Sequence, residues 1–253
     1  MKILHVNFSD NLGGASISVL RLHKFLLSKG VDSHLLVNEK ELNEKNIIGI
    51  NKTSEKIKNI IKSTISRNLK IIFKTSNKNT HSLNLISSKL LKIINDFNAD
   101  IVNLHWLGNE TLSIKQIGKI KSEVVWTLHD MWPFCGAEHY TLDKRYEEGY
   151  RKSNKPNYET GFDLNKYIWE KKINSFKKVN KIIATSAWMK NCAKKSYLFK
   201  NKNIEEIPLI LDQKIWCPVH EKESARKILG LSLNKKIITF GSDNYLNNNR
   251  KGF

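Results

Sequence analysis

Residues 1–30, MKILHVNFSDNLGGASISVLRLHKFLLSKG, decide how the rest of the chain is read. Lys2-Ile3-Leu4-His5-Val6-Asn7 is a short alternating run, Asp10-Asn11-Leu12-Gly13-Gly14-Ala15-Ser16 is a turn, and residues 17–29 carry helical spacing that stops at Gly30. A strand, a glycine-bearing loop and a helix open a βαβ unit. Adjacent glycines at the carboxyl end of a strand let the backbone approach a ligand closely, with the unpaired amides of the helix start pointing at it. That geometry suits an anion or a sugar phosphate. It is not the dinucleotide fingerprint G-x-G-x-x-G, because Gly13-Gly14 lacks the alternate spacing and the third glycine. The same glycines serve a plain turn equally well, and this stretch alone does not separate the two readings.

Outward from this unit, residues 33–37 and 47–50 read as further strands, and the alternation with helices predicts a parallel sheet covered on both faces. Asp100-Ile101-Val102-Asn103-Leu104-His105-Trp106 and Glu123-Val124-Val125-Trp126-Thr127-Leu128-His129-Asp130 read as buried strands, each ending in a histidine. Open α/β sheets bind ligands outside the carboxyl ends of their strands, so His105 and His129 mark one edge as the candidate site. His129 is the stronger candidate, since Asp130 can orient its ring or meet a ligand hydroxyl, whereas His105 also fits a polar tip closing the rim. Residues 163–180 read as a helix and 181–185 as a strand. Ser186 is a natural N-cap for the next helix, whose amides face the same edge. Residues 204–208 are a last strand, and 209–219, with Asp212, Trp216 and Pro218, read as a crossover.

Forty-three Lys and Arg against 24 Asp and Glu leave a net charge of +19, which favours an anionic partner. Nucleic acid is the weaker option, because the aromatics are not interleaved with the basic residues as a stacking platform needs. Residues 55–98 read as helical with a loop at 75–82 and a second helix at 83–97. The first part sets Ile57, Ile60, Ile61, Ile65, Leu69 and Ile72 beside Lys56, Lys58, Lys62, Arg67, Lys70 and Lys74. Such a segment either covers the sheet with a solvated basic face or lies on an anionic bilayer.

The 3 cysteines, Cys135, Cys192 and Cys217, stand far apart in no paired motif, against a disulfide scaffold or zinc finger. Residues 131–161, with few periodic apolar positions, read as a mobile active-site loop; Cys135 and His139 have no third partner there, so no metal is expected. No signal peptide opens the chain and no apolar run spans a membrane, which predicts a cytoplasmic protein, peripheral on the inner face of the plasma membrane through residues 55–78 if that segment docks. Residues 221–230 read as a short helix and 236–241 as a fresh strand, after which Arg250-Lys251-Gly252-Phe253 ends the sequence just inside a second domain.

The chain resembles the nucleotide-sugar glycosyltransferases with two facing Rossmann-like domains, the GT-B fold, and within them glycosyltransferase family 4, particularly the enzymes of colanic acid and other extracellular polysaccharides. The resemblance rests on Gly13-Gly14-Ala15-Ser16 and on Thr127-Leu128-His129-Asp130-Met131-Trp132-Pro133-Phe134. It continues through Ser186-Ala187-Trp188-Met189, Ile207-Pro208 with Asp212, Trp216 and Pro218, and Phe240-Gly241 with Arg250-Lys251-Gly252-Phe253. It implies residues 1–218 as the acceptor-side Rossmann-like domain, the N-terminal half of a GT-B fold, and 219–253 as the incomplete start of the nucleotide-sugar domain.

The activity it implies is retaining transfer of a sugar from a nucleoside diphosphate sugar to a saccharide or lipid-linked saccharide acceptor, with no cofactor beyond the donor substrate. His129 and Asp130 would be catalytic, with Gly13, Gly14, Ala15, Ser16, His105 and Ser186 on the substrate. Arg250 or Lys251 would neutralise the leaving diphosphate, where charge develops. The paired acids that relatives use to hold the donor fall beyond Phe253, and Leu209 stands where relatives often carry Asn. The 253-residue chain is therefore expected to transfer little sugar without its nucleotide half, encoded separately or downstream. The competing expectation is a non-enzymatic basic module that binds anionic membrane or a phosphorylated saccharide. A nicotinamide-dependent oxidoreductase is disfavoured by the glycine spacing and by the displaced Glu39 after the second strand.

Overall fold

β1 (Lys2–Ser9) runs parallel to β2 (Asp32–Glu39), with Lys2 opposite Asp32 and Ser9 opposite Glu39, and α1 (Gly13–Ser28) crosses between them. These coordinates are a computed structural model that describes residues 1–50, 61, 64, 73–213, 215–217 and 221–241. The helix begins at Gly13, earlier than the apolar spacing predicts, so both glycines belong to its first turn. Leu35 and Val37 of β2 pack against Val19 of α1, and Leu36, between them in sequence, joins Leu4 and Val6 in the larger core on the opposite face. Alternation therefore buries both faces of the sheet. Complete burial of Val19 stabilises this contact by about 1.5–3 kcal/mol.

The chain continues through β3 (Ile47–Gly49), β4 (Phe73–Thr75), α2 (Leu90–Phe97), β5 (Ile101–Leu104), α3 (Ile114–Ile117), β6 (Glu123–Leu128) and α4 (Arg145–Glu148). β7 (Glu159–Gly161), α5 (Leu164–Ser175), β8 (Lys181–Ala184), α6 (Ala187–Lys195), β9 (Asn203–Glu206) and α7 (Lys222–Ile228) follow. The 7-stranded sheet has the order β3-β2-β1-β5-β6-β8-β9 with every neighbour parallel, a Rossmann-like α/β arrangement. Strand order reverses between β1 and β5, which makes their carboxyl ends the topological switch point. β4 and β7 pair antiparallel in a separate ribbon that the spacing does not predict.

Three expectations are corrected. The helix predicted over 83–97 begins only at Leu90. Asn84 takes a positive φ of 49°, and the Glu110 carboxylate accepts the N–H groups of Asn84 at 2.7 Å and Ile86 at 2.8 Å, holding a turn that helix bonding would break. Residues 131–161 are a packed segment and no loose loop: Trp132, Phe134, Ala137, Tyr146 and Tyr150 lie in the core. Arg145, buried, donates to Glu159 at 2.5 Å and lies 3.3 Å from Asp143 and Asp163, closing the segment on itself. The short aromatic- and charge-rich runs bury through these distant partners, which leave no periodic signal.

The third correction concerns the end of the chain, which divides into units Met1–Ile210 and Leu211–Phe253. In the second unit, Arg226 Nη1 donates to the carbonyls of Ser232, Leu233 and Lys235 at 2.6, 2.5 and 3.0 Å beside α7. Residues 236–241 form no strand, since no described strand of that unit is there to take their backbone groups. Most of the basic segment 55–78, together with Arg250 and Lys251, lies outside the described residues. No described helix is long and apolar enough to cross a membrane.

Candidate active site

The loop after β1 is built from its own polar side chains. Ser9 Oγ accepts the N–H groups of Asn11 and Leu12, both at 3.1 Å, and the Asp10 carboxylate accepts those of Glu41 at 3.0 Å and Leu42 at 2.9 Å. Asn7 links this loop to β5: its amide donates to Ser9 O at 2.6 Å and Ser16 Oγ at 3.0 Å, and its Oδ1 accepts the Trp106 N–H at 2.9 Å. Ser16 donates to Leu12 O at 2.8 Å, so its hydroxyl serves the loop. Gly13, at φ +80°, and Gly14 are exposed, and a Cβ at either would meet nothing within 4 Å. No side chain caps α1, which leaves the first-turn amides of Gly13, Gly14 and half-buried Ala15 open at the switch point.

Next to this opening, His105 ends β5 and His129 ends β6. His105 is buried and His129 half-buried, and Nδ1 of the first lies 3.0 Å from Nε2 of the second. On its other side His105 Nε2 lies 3.0 Å from Nδ1 of His5 on β1. Behind His5 stands His23 of α1, ring centroids 6.3 Å apart and edge-on, with its Nδ1 2.8 Å from Ser33 Oγ. Burial pulls His5 down to about 3, helped by His23, and His129 down to about 4 against the opposing pull of Asp130. Burial, with His5 and His129 adding, puts His105 well below the ordinary histidine value. At neutral pH the line of rings carries no charge.

Asp130 does not orient the ring of its neighbour His129. Its Oδ2 lies 2.5 Å from His139 Nδ1, and its Oδ1 accepts the Trp132 N–H at 3.0 Å. Burial pushes this carboxyl up, but the His139 charge and hydrogen bond, with the Trp132 amide, more than offset it and hold it below its ordinary value. The carboxylate keeps the His139 proton on Nδ1, so the Trp106 indole N–H at 3.2 Å meets an atom already bearing hydrogen and only packs against it. His139 Nε2 lies 2.8 Å from Ser82 Oγ. Ser82, His139 and Asp130 thus follow the order of a nucleophilic triad. All three are buried, and the Asn109 N–H at 3.4 Å also points at Ser82 Oγ, so no substrate carbonyl can reach the hydroxyl. The arrangement ties three chain segments together beneath the site.

A second buried cluster holds the 131–139 turn from below. Lys172 of α5 is fully buried, and its Nζ donates to the carbonyls of Trp132, Cys135 (3.1 Å) and Gly136 (2.6 Å). Burial lowers this amine to about 7 and raises Glu138 to about 7. Glu138 Oε1 accepts from Tyr150, while its Oε2 is buried with no partner. Burial also pushes the Cys135 thiol well up, which disqualifies it as a nucleophile.

The structure therefore brings Gly13, Gly14, Ala15, His105 and His129 to one edge, and leaves Ser16 and Asp130 engaged beneath it. Ser186 lies exposed beyond β8, where its hydroxyl caps α6 by accepting the Met189 N–H at 3.2 Å. Sequence reasoning missed His5 and Lys172, and noticed His139 only beside Cys135. A polar residue in the middle of a buried strand was the one available signal for His5.

Residues 12–213 match the family model described as Glycosyltransferase Family 4. No curated protein matches the chain. Among solved structures, Anabaena HepE in complex with UDP is similar over 91% of this chain and 50% of its own, at 11% identity and a TM-score of 0.42. A UGT transferase from Siraitia grosvenorii in complex with UDP is similar over 90% of this chain and 52% of its own, at 11% identity and a TM-score of 0.38. The chain spans about half the length of the solved structures it matches.

Proposed function

The chain belongs to Glycosyltransferase Family 4, and from that premise we propose that it supplies the acceptor-side half of a sugar-transfer site. The observation that carries this is that the open amides of Gly13 and Gly14 at the switch point and the half-buried His129 ring, which follows β6 and meets His105, lie on the same carboxyl edge of the sheet. Amides at a helix start take an anionic or hydroxyl oxygen, and a neutral imidazole on the same edge makes one directed hydrogen bond to a sugar. The donor is a nucleoside diphosphate sugar, and the acceptor a saccharide or lipid-linked saccharide of cell-surface polysaccharide synthesis, with transfer retaining anomeric configuration. Arg250 or Lys251 answers the charge of the leaving diphosphate. Asp130 acts through His139 and Trp132 on the shape of the site rather than on the reacting atoms.

The test is titration of the isotope-labelled protein with UDP- and GDP-sugars and with lipid-linked saccharide acceptors, followed by NMR. The amide signals of Gly13, Gly14 and Ala15 and the ring signals of His129 are expected to move together with one of these ligands. A panel that leaves all of them in place overturns the reading.

A further inference from the structure

Three imidazoles stand in line behind the sheet's ligand edge, bonded His5 Nδ1 to His105 Nε2 at 3.0 Å and His105 Nδ1 to His129 Nε2 at 3.0 Å. A neutral ring has one hydrogen and one lone pair, so these two bonds can be satisfied in only two ways. In the first, every ring holds its hydrogen on Nδ1. His5 then donates to His105, His105 donates to His129, and His129 turns an N–H outwards. In the second, every ring holds it on Nε2, the bonds run inwards, and His129 turns out a lone pair.

The inner end of the line discriminates between them. His5 Nε2 is buried and has no partner. The first arrangement leaves a bare lone pair there and the second a bare N–H. Folded proteins tolerate an unpaired buried acceptor better than an unpaired buried donor. Burial lowers all three rings, which removes a charged ring from consideration near neutral pH.

We propose that His5 and His105 are positioning residues that lock His129 as its Nδ1–H tautomer, so that it offers a hydrogen-bond donor, and not a base, to an oxygen of the bound ligand. A histidine side chain free in water favours the opposite tautomer, so the preference is imposed by the buried line. The partner of His129 is then a sugar hydroxyl or phosphate oxygen used as an acceptor. This consequence rests on the strand edge being the ligand site. The tautomers are measurable with no ligand present, so failure of that reading and failure of this one are distinguishable.

The experiment is long-range nitrogen–proton correlation NMR on the protein with isotope-labelled histidines near neutral pH, with His129→Gln and the corresponding His5 and His105 variants assigning signals. Hydrogen on Nδ1 is expected at His5, His105 and His129; hydrogen on Nε2 at any of them overturns the proposal. In His105→Ala, which removes the ring whose N–H holds His129 Nε2 as an acceptor and opens that nitrogen to water, the His129 majority is expected to shift from Nδ1–H to Nε2–H. A folded His105→Ala protein with an unchanged His129 tautomer also overturns it. Where that variant fails to fold, the three wild-type tautomers decide.

Discussion

Asp130 Oδ2 lies 2.5 Å from Nδ1 of His139, the residue nine positions on, while the ring of adjacent His129 bonds in the other direction to His105. The acid and the histidine that stand side by side in sequence therefore work in separate networks. One shapes the turn after β6, and the other supplies a ring at the carboxyl edge of the sheet.

Asp130→Asn is expected to destabilise the protein by about 2 kcal/mol near neutral pH, the scale of a hydrogen bond to a charged group. The native carboxyl is held below its ordinary 3.8, so its stabilisation is present above that value and is lost as pH falls through the native one. Urea unfolding of both proteins at pH values above and below 3.8 checks this. A gap that stays constant on acidification contradicts the assignment.

Glu138 runs the opposite way. Its native value is raised from 4.5 to about 7, so the native state binds the proton more tightly, and the stability this contributes is full below 4.5 and lost as pH rises through about 7. Glu138→Gln mimics the protonated form. At alkaline pH it is expected to exceed wild type by up to about 3 kcal/mol, and near the unfolded value to lose that advantage. A variant less stable than wild type on the alkaline side refutes it.

The two loop glycines should separate stability from binding. Gly13→Ala places a side chain at φ +80° and is expected to cost about 1–2 kcal/mol. Gly14→Ala lies in the helical first turn with open space around it and is expected to gain about 0.5–1 kcal/mol. The new methyl nonetheless stands where a ligand oxygen would approach the amides, so saccharide binding by Gly14→Ala should fall. Undiminished acceptor titration shifts in Gly14→Ala would remove the amides from the site.

The basic segment makes its own prediction from charge alone. Neutralising Lys58, Lys62, Arg67 and Lys70 should weaken co-sedimentation with anionic vesicles by about 1 kcal/mol per residue, roughly a thousandfold in all. Raised salt should mimic the loss in wild type. Equal binding by the neutralised protein removes the membrane from its partners.

The parallel sheet was legible because its strands are apolar, short and spaced by helices, which are local properties of residues such as Val102 and Ile182. The edge carrying the glycine loop, His105 and His129 was legible for the same reason, since each follows a readable strand. Residues 83–89 were misread as helix because apolar spacing is blind to Glu110, whose carboxylate holds Asn84 in its turn from 26 positions away. Residues 131–161 looked loose because Arg145, Lys172 and Tyr150 bury through partners outside any periodic pattern.

The sequence by itself determined the sheet and the residues delivered to its carboxyl edge, because strand periodicity, glycine chemistry and capping act over a few neighbouring residues. Only the tertiary structure decided what those residues do to one another. His5 meets His105 across 100 positions because β1 and β5 lie side by side, and Ser82 meets His139 across 57 through the isolated bridge between His81 and Glu138. Strand order puts His129 in the line of rings, while the fold of the turn after β6, with Met131 N–H on His139 O, gives Asp130 to His139, and no local pattern carries either.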